Sequence, residues 1–366
     1  MSRRSATHGW WLPFLLALAI QSAALARADW SIAAGGLFDA DAYMRLMRVQ
    51  QLHDTGAWYD SLFRRSNAPF GEVLHWTRPF DVLLLAGGLA LTPLWEFPTA
   101  LHVWGVLVSP LLLLTAIPAL YWAAQPLLPA GARLHLALMY LFQLGIAADF
   151  AAGRADHHGL IALSHILLLG IGLRLVAGPP DGRIALAGGL LVAWCLWLSI
   201  ETLVAVALLL SALGLLWLRN GQPFARLAVQ LNLAATLAIA AILPLERSPA
   251  ALLAAEYDRI SLVHLLCFAL QSAFWLVAAQ AVCGRWPSRA VWAVAGGGAV
   301  LLTMALAYPK FFLGPAAEID AEVYRIWFKG VAEVTSPLVG HDPVRVAQRL
   351  LVYFGVPAVG AFLLFR

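Results

Sequence analysis

The chain has 366 residues, of which 61% are hydrophobic and only 12% charged, with a formal net charge of +4 and a mean hydropathy of +0.78. A soluble domain is usually about 25% charged, so a water-soluble globular or disordered protein is excluded. No basic run interleaved with aromatics is present, which excludes a nucleic-acid surface, and Cys195, Cys267 and Cys283 lack CxxC spacing and read as packing residues rather than a zinc site or disulfide framework.

Apolar stretches of about 17–22 residues recur along the chain, and in lipid such stretches must be helices because every backbone amide needs an internal partner. The expected fold is all-α, a polytopic transmembrane bundle of about ten crossings, forming one membrane domain over 1–366 in an inner (plasma) membrane. The N-terminal MSRRSATHGWWLPFLLALAIQSAALARADW has a basic start, an apolar core and an Ala-Leu-Ala, and reads as a cleaved signal or, preferably, a retained first anchor. In either case residue 29 onward starts on the periplasmic or extracellular side, here called outer. A long first outer loop then covers 29–100. Within it, the apolar core of 79–97 is too short to span before Pro93 and Glu96, and reads as a re-entrant or interface-lying segment.

Crossings at 101–123 and 133–150 bring the chain to GRADHH on the outer face. The connectors 178–183, 219–226 and 284–289 are short and basic, which places them in the cytoplasm. Hence 184–218 is a helical hairpin whose outer turn lies near Glu201. The segments 225–245 and 262–283 flank an outer loop, and 288–308 leads to a long outer loop, the fifth, at 309–345, before a last apolar run at 346–365.

Carboxylates and imidazoles from three of these loops therefore fall on one side of the membrane. The first loop has Asp39 and Asp41 ahead of an amphipathic run bearing Arg45 and Arg48, then His75 beside Trp76; the second has Arg154, Asp156 and His158; the long loop has Glu333. Such groups suit magnesium, manganese or zinc. Singly each has a plainer role: Asp-x-Asp before a helix commonly caps it, Asp156 is in place to cap the helix that follows, His75 suits the interface and Glu333 suits solvent. Their coincidence on one boundary favours a functional site.

The arrangement resembles the catalytic subunit of the oligosaccharyltransferase family, membrane glycosyltransferases of the GT-C class that use a polyprenyl-linked sugar donor. The matching stretches are DAYMRL with Asp41, HWTRP with His75, DHH with Asp156 and His158, and GVAEVTSP, which keeps Glu333 and Pro337 but not the family's Thr-Ile. The family continues into further helices and a soluble domain with a Trp-Trp-Asp motif. The resemblance therefore implies a chain that is truncated or lacks that domain, and an acceptor that is a protein or a glycan.

A lipid-borne phosphate or diphosphate donor calls for a divalent ion, magnesium or manganese in first place and zinc in second, to offset charge building on the leaving group. Asp41, Asp156 and His158 are the expected ligands, with His75 optional. Asp41 or Glu333 would orient and deprotonate the acceptor. Arg345, then Arg154, would hold the donor phosphate through charge-assisted contacts. The alternative from another class, an ion-coupled secondary transporter, calls for ionisable residues at the bilayer midplane and internal repeats.

Overall fold

The computed structural model describes residues 11–27, 36–281, 285–326, 328–331, 338 and 342–364. It is all-α apart from a two-residue antiparallel hairpin, β1 (Leu62–Phe63) with β2 (Glu72–Val73). Fourteen α-helices occur among the described residues. The first six are α1 (Leu12–Arg27), α2 (Ala40–Thr55), α3 (Arg78–Leu91), α4 (Phe97–Ala124), α5 (Arg133–Leu141) and α6 (Leu144–Ala147). The next six, α7 (His158–Ala177), α8 (Gly182–Leu198), α9 (Leu203–Asn220), α10 (Gln222–Glu246), α11 (Leu262–Ala281) and α12 (Trp286–Ala307), run back and forth as a bundle. A short α13 (Ala321–Ile326) and α14 (Pro343–Leu364) complete the chain.

Six helices are long and apolar enough to cross a membrane: α4, α7, the Ile200–Asn220 segment that holds α9, α10, α11 and α12. Six, rather than the ten expected, is the count that length and composition support among the described residues. The apolar helices α1 and α8 fall short of it, and the 17 residues of α8 rise only about 26 Å against a hydrocarbon core of about 30 Å. The run 133–150, expected as a crossing, is broken. Gln143 adopts an extended conformation between α5 and α6, and its side-chain amide donates to the Tyr353 carbonyl of α14 at 2.5 Å. The fourteen-residue α3 rises about 21 Å, also less than a bilayer.

Two apolar cores hold the bundle. Leu168 and Ile171 of α7, Val192 and Leu196 of α8, and Leu231 and Ile239 of α10 belong to one; Phe80, Leu84, Ile117, Phe150 and Ile161 belong to the other. Small residues let the helices close up, as expected where lipid offers no hydrophobic drive for association. At Gly189 of α8 a Cβ would meet the Leu231 carbonyl of α10 at 2.2 Å, so only glycine permits that approach.

The two ends of the bundle differ. At one, Trp197 near the end of α8 donates to Glu246 at the end of α10, at 2.7 Å, and the turn before α9 meets the start of α7. At the other, Arg174 near the end of α7 donates to the Trp122 carbonyl of α4 at 2.6 Å, and Arg289 of α12 donates to the Arg219 carbonyl of α9 at 3.5 Å. The first end carries the site described next.

Candidate functional site

The loop before α7 is fixed on both sides. Gly153, in the left-handed region with φ 80°, donates to the Val106 carbonyl of α4 and accepts from the Phe38 amide, each at 3.0 Å. Ser109 of α4 donates to the Arg154 carbonyl at 2.5 Å. This clamp delivers Asp156, His157 and His158 to the mouth of the bundle. Asp156 is 2% exposed. Its Oδ1 accepts from the His157 amide and faces the ring Nδ1 of the same residue, both at 2.7 Å, while Oδ2 faces His158 Nδ1 at 2.5 Å.

One ligand atom from each of these three residues lies within 4.8 Å of the others. Burial alone would raise the Asp156 carboxyl, but the hydrogen bond and charge of His157, the hydrogen bond of His158 and the Arg45 guanidinium outweigh it and hold it well below the usual value. An ionised carboxylate only accepts, so both imidazoles present Nδ1–H to it. Their Nε2 atoms point the other way, toward Glu201, at 3.6 Å from His157 and 3.7 Å from His158.

Beneath Asp156 lies a buried ionic layer. Arg45 of α2 stands between Asp156 (3.5 Å) and Asp81 of α3 (3.7 Å), with its guanidinium 3.9 Å from the Trp76 ring centroid. Asp81 is fully buried and accepts from Arg48 Nε at 2.7 Å and Arg78 Nη1 at 2.9 Å. Arg48 also donates to the Trp76 carbonyl at 2.8 Å, and Arg78 to the Asp60 and Trp58 carbonyls. The Arg78 amide reaches Glu246 at 3.0 Å, tying the first loop to the end of α10. A carboxylate accepting from two arginines is the pairing that makes such burial tolerable.

The residues singled out from sequence fall in different places. Asp156 and His158 meet in the cluster. Asp41 lies exposed in the first turn of α2, near enough for its charge to act on Arg45, whereas the capping role falls to Asp39, which accepts from the Ala42 amide at 2.9 Å. His75 faces the same region: desolvation sets it below the ordinary histidine value, and the charges of Asp258, Arg45, His157 and Glu201 act on it. Arg154 lies between Asp39 (3.8 Å) and Asp149 (3.7 Å). Arg345, in the first turn of α14, pairs with Asp342 at 3.3 Å, both largely exposed. Glu333 lies outside the described residues.

Sequence reasoning missed His157, the third member of the cluster, although its adjacency to Asp156 was in plain view. It also missed the role of Asp81, whose partners are remote in sequence, and placed Glu201 at the outer hairpin turn, as the one charge that could lie deeper and favour a transporter, without linking it to the histidines.

No protein-family model matches the sequence, and no curated protein is similar to it by sequence. Solved structures are similar in fold. The archaeal oligosaccharyltransferase AglB from Archaeoglobus fulgidus, in complex with an inhibitory peptide and a dolichol-phosphate, aligns over 97% of this chain with a TM-score of 0.69 and 13% identity. The Archaeoglobus fulgidus oligosaccharyltransferase tethered to an acceptor peptide containing the NVT sequon aligns over 84% of the chain, and 38% of its own, with a TM-score of 0.56 and 15% identity. A complex of that enzyme with zinc and sulfate aligns over 76% of this chain and 38% of its own, with a TM-score of 0.52 and 15% identity. The chain thus shares, over nearly its whole length, the fold of an archaeal oligosaccharyltransferase of which it spans 44%.

Proposed function

We propose that this chain is a metal-dependent glycosyltransferase that moves a sugar or oligosaccharide from a polyprenyl-phosphate or -diphosphate donor to a protein or glycan acceptor. The observation that carries the reading is the Asp156–His157–His158 cluster, set at one end of a membrane bundle whose fold is that of an enzyme solved with a dolichol-phosphate and, separately, with zinc and sulfate. The donor set fits a divalent ion, because one ionised carboxylate and two imidazoles converge within ligand distance of one another. Such an ion, when bound, supplies positive charge opposite a departing phosphate.

The remaining roles belong to side chains around the cluster. Asp41 and His75, from the first loop, complete the donor set or orient the acceptor, and Glu333 is the second candidate for taking the acceptor proton. Arg154 and Arg345 hold the donor phosphate. An apolar groove of about 380 Å³ between α5 and α14, lined by Met139, Phe142, Leu351, Val356 and Val359, offers room for part of an isoprenoid chain. The active face is the periplasmic or extracellular one of an inner (plasma) membrane. Arg174, Arg219 and Arg289 at the opposite end support this through the bias of basic residues toward the cytoplasm. A transporter would gather its charges at the midplane, whereas here they gather at one end.

The test is transfer from a radiolabelled polyprenyl-linked sugar by the protein reconstituted in vesicles, with and without EDTA, for the parent and for Asp156→Ala. Transfer by the parent that both EDTA and the substitution abolish is the expected result. Chelator-insensitive transfer, or an Asp156→Ala protein as active as the parent, refutes the metal reading.

A further inference from the structure

We propose that the chain binds one anionic phospholipid between α9 and α12, at the end of the bundle away from the Asp156 cluster. The segments 174–183, 219–226 and 285–289 at that end carry six arginines and one acid, Asp181. Asp181 turns its carboxylate to the first turn of α8, accepting from the Arg183 amide at 2.8 Å. Arg174 donates to neutral acceptors, the Gly170 and Trp122 carbonyls and Gln125 Oε1. Arg289, in the first turn of α12, is the most tightly placed of these cations. Its guanidinium lies against Gly221, the N-cap of α10 with φ 81°, where a Cβ would run into Nη1. Its Nη2 reaches the Arg219 carbonyl at 3.5 Å, beyond the usual range of about 2.7–3.2 Å, and its buried Nε has no partner among the described residues. The N-terminal end of a helix dipole is itself positive. A guanidinium held against it, with its donors unspent, calls for an anion.

The surroundings select a lipid over a free ion. Arg219 is exposed in the last turn of α9, so two arginines from two helices flank the same crevice. Three residues further into α12, Trp292 stacks on Phe274 of α11 at 5.7 Å between centroids, and its indole Nε1 is buried without a partner among the described residues. A phospholipid carries its acceptors in the same order, phosphate outermost and ester carbonyls beneath. Leu215 of α9 and Val291 and Val294 of α12, each more than half exposed, supply apolar surface for the acyl chains. A planar guanidinium takes phosphate oxygens two at a time, and basic pockets between helices on the cytoplasmic side suit anionic headgroups.

The full chain, purified in detergent, is titrated with phosphatidylglycerol and with phosphatidylcholine, and bound lipid is counted by native mass spectrometry, with inorganic phosphate as competitor. The parent holds one phosphatidylglycerol at least about 10-fold more tightly than phosphatidylcholine. Loss of a charge-assisted contact is worth about 10- to 100-fold, so Arg289→Gln weakens phosphatidylglycerol by that factor, and Arg219→Gln, at the exposed rim, by about 5-fold. Neither changes phosphatidylcholine. Arg183→Gln, which removes an exposed charge of the same end from α8, leaves both lipids as in the parent. Retention of the gel-filtration profile and thermal transition excludes misfolding of Arg289→Gln, and the exposed Arg219 carries the test if that variant unfolds. Equal affinity of the parent for the two lipids, or an equal loss in Arg183→Gln and Arg289→Gln, overturns the site in favour of arginines that only orient the chain. Displacement of phosphatidylglycerol by inorganic phosphate at comparable concentration assigns the crevice to a free anion and overturns the lipid.

Discussion

Asp81 offers the sharpest test of what holds the site in place. Replacing it with asparagine keeps the shape and removes the carboxylate that Arg48 and Arg78 share, at 2.7 and 2.9 Å. The asparagine oxygen can still accept from both guanidiniums, so what the exchange removes is the carboxylate charge rather than the two bonds. Arg45, 1% exposed, also loses one of its two ion-pair partners, the one at 3.7 Å. Leaving a buried charge uncompensated brings the total into the range of about 3–5 kcal/mol seen when one member of a buried pair is removed. At roughly 2 °C per kcal/mol, the melting temperature of the detergent-solubilised protein falls by about 6–10 °C. Adding Arg48→Met to Asp81→Asn removes one of the stranded guanidiniums and should restore at least about 1 kcal/mol relative to additivity. A single Asp81→Asn change costing under about 1 kcal/mol, or a strictly additive pair, would show that the layer is not held by this carboxylate.

The loop between α10 and α11 carries a pH signature of its own. Burial alone would raise the Glu256 carboxyl, but the hydrogen bonds and charges of Arg247 and Arg259 reverse this and bring it to about 2, from an ordinary 4.5. A depressed folded-state value means the stabilisation is complete above about pH 4.5 and is lost as pH falls toward 2. Glu256→Gln is therefore less stable than the parent at neutral pH, and the gap closes over that acid range in a pH series of thermal melts; a constant gap would refute it. Single cysteines placed at Ala250 and Asn220, with Cys195, Cys267 and Cys283 replaced by serine, should react with an impermeant maleimide from opposite sides of a sealed vesicle. Labelling of both from one side would refute the assigned topology, and Asn220 labelled from the outer side with Ala250 from the inner would invert the assigned active face.

What was legible in the sequence was local. The bundle follows from apolar runs and the need to satisfy backbone amides in lipid, and α7 through α12 lie close to where those runs and the basic connectors put them. The Asp156–His158 pair was visible because the loop delivers neighbours in sequence to one spot. The break in 133–150 was not visible, because apolar composition alone reads as a continuous helix, while the Gln143 amide finds its acceptor at Tyr353, 210 residues away. Arg45 and Arg48 read as one face of an amphipathic helix, which α2 is, but nothing local says that this face is buried. Their carboxylate lies on another helix, Arg48 and Asp81 being 33 residues apart.

That burial is costly, and the position of the cost explains the site. Three arginines and two aspartates taken from water gain little net stability over well-packed apolar side chains, and in lipid ionisable groups are dearer still. Apolar packing, however, cannot fix direction, and Asp156 presents each oxygen to a particular imidazole. The ionic layer supplies direction: Arg45 contacts Asp156 and Asp81, Asp81 fixes Arg48 and Arg78, and the Arg78 amide reaches Glu246 at the end of α10. Four segments far apart in sequence are thereby registered to one carboxylate. Since Trp197 of α8 donates to the same Glu246 oxygen, the turn carrying Glu201 is registered as well. A change at Glu246 should therefore disturb the Glu201 side of the site and the Asp81 layer together, although Glu246 makes no direct contact with the histidines.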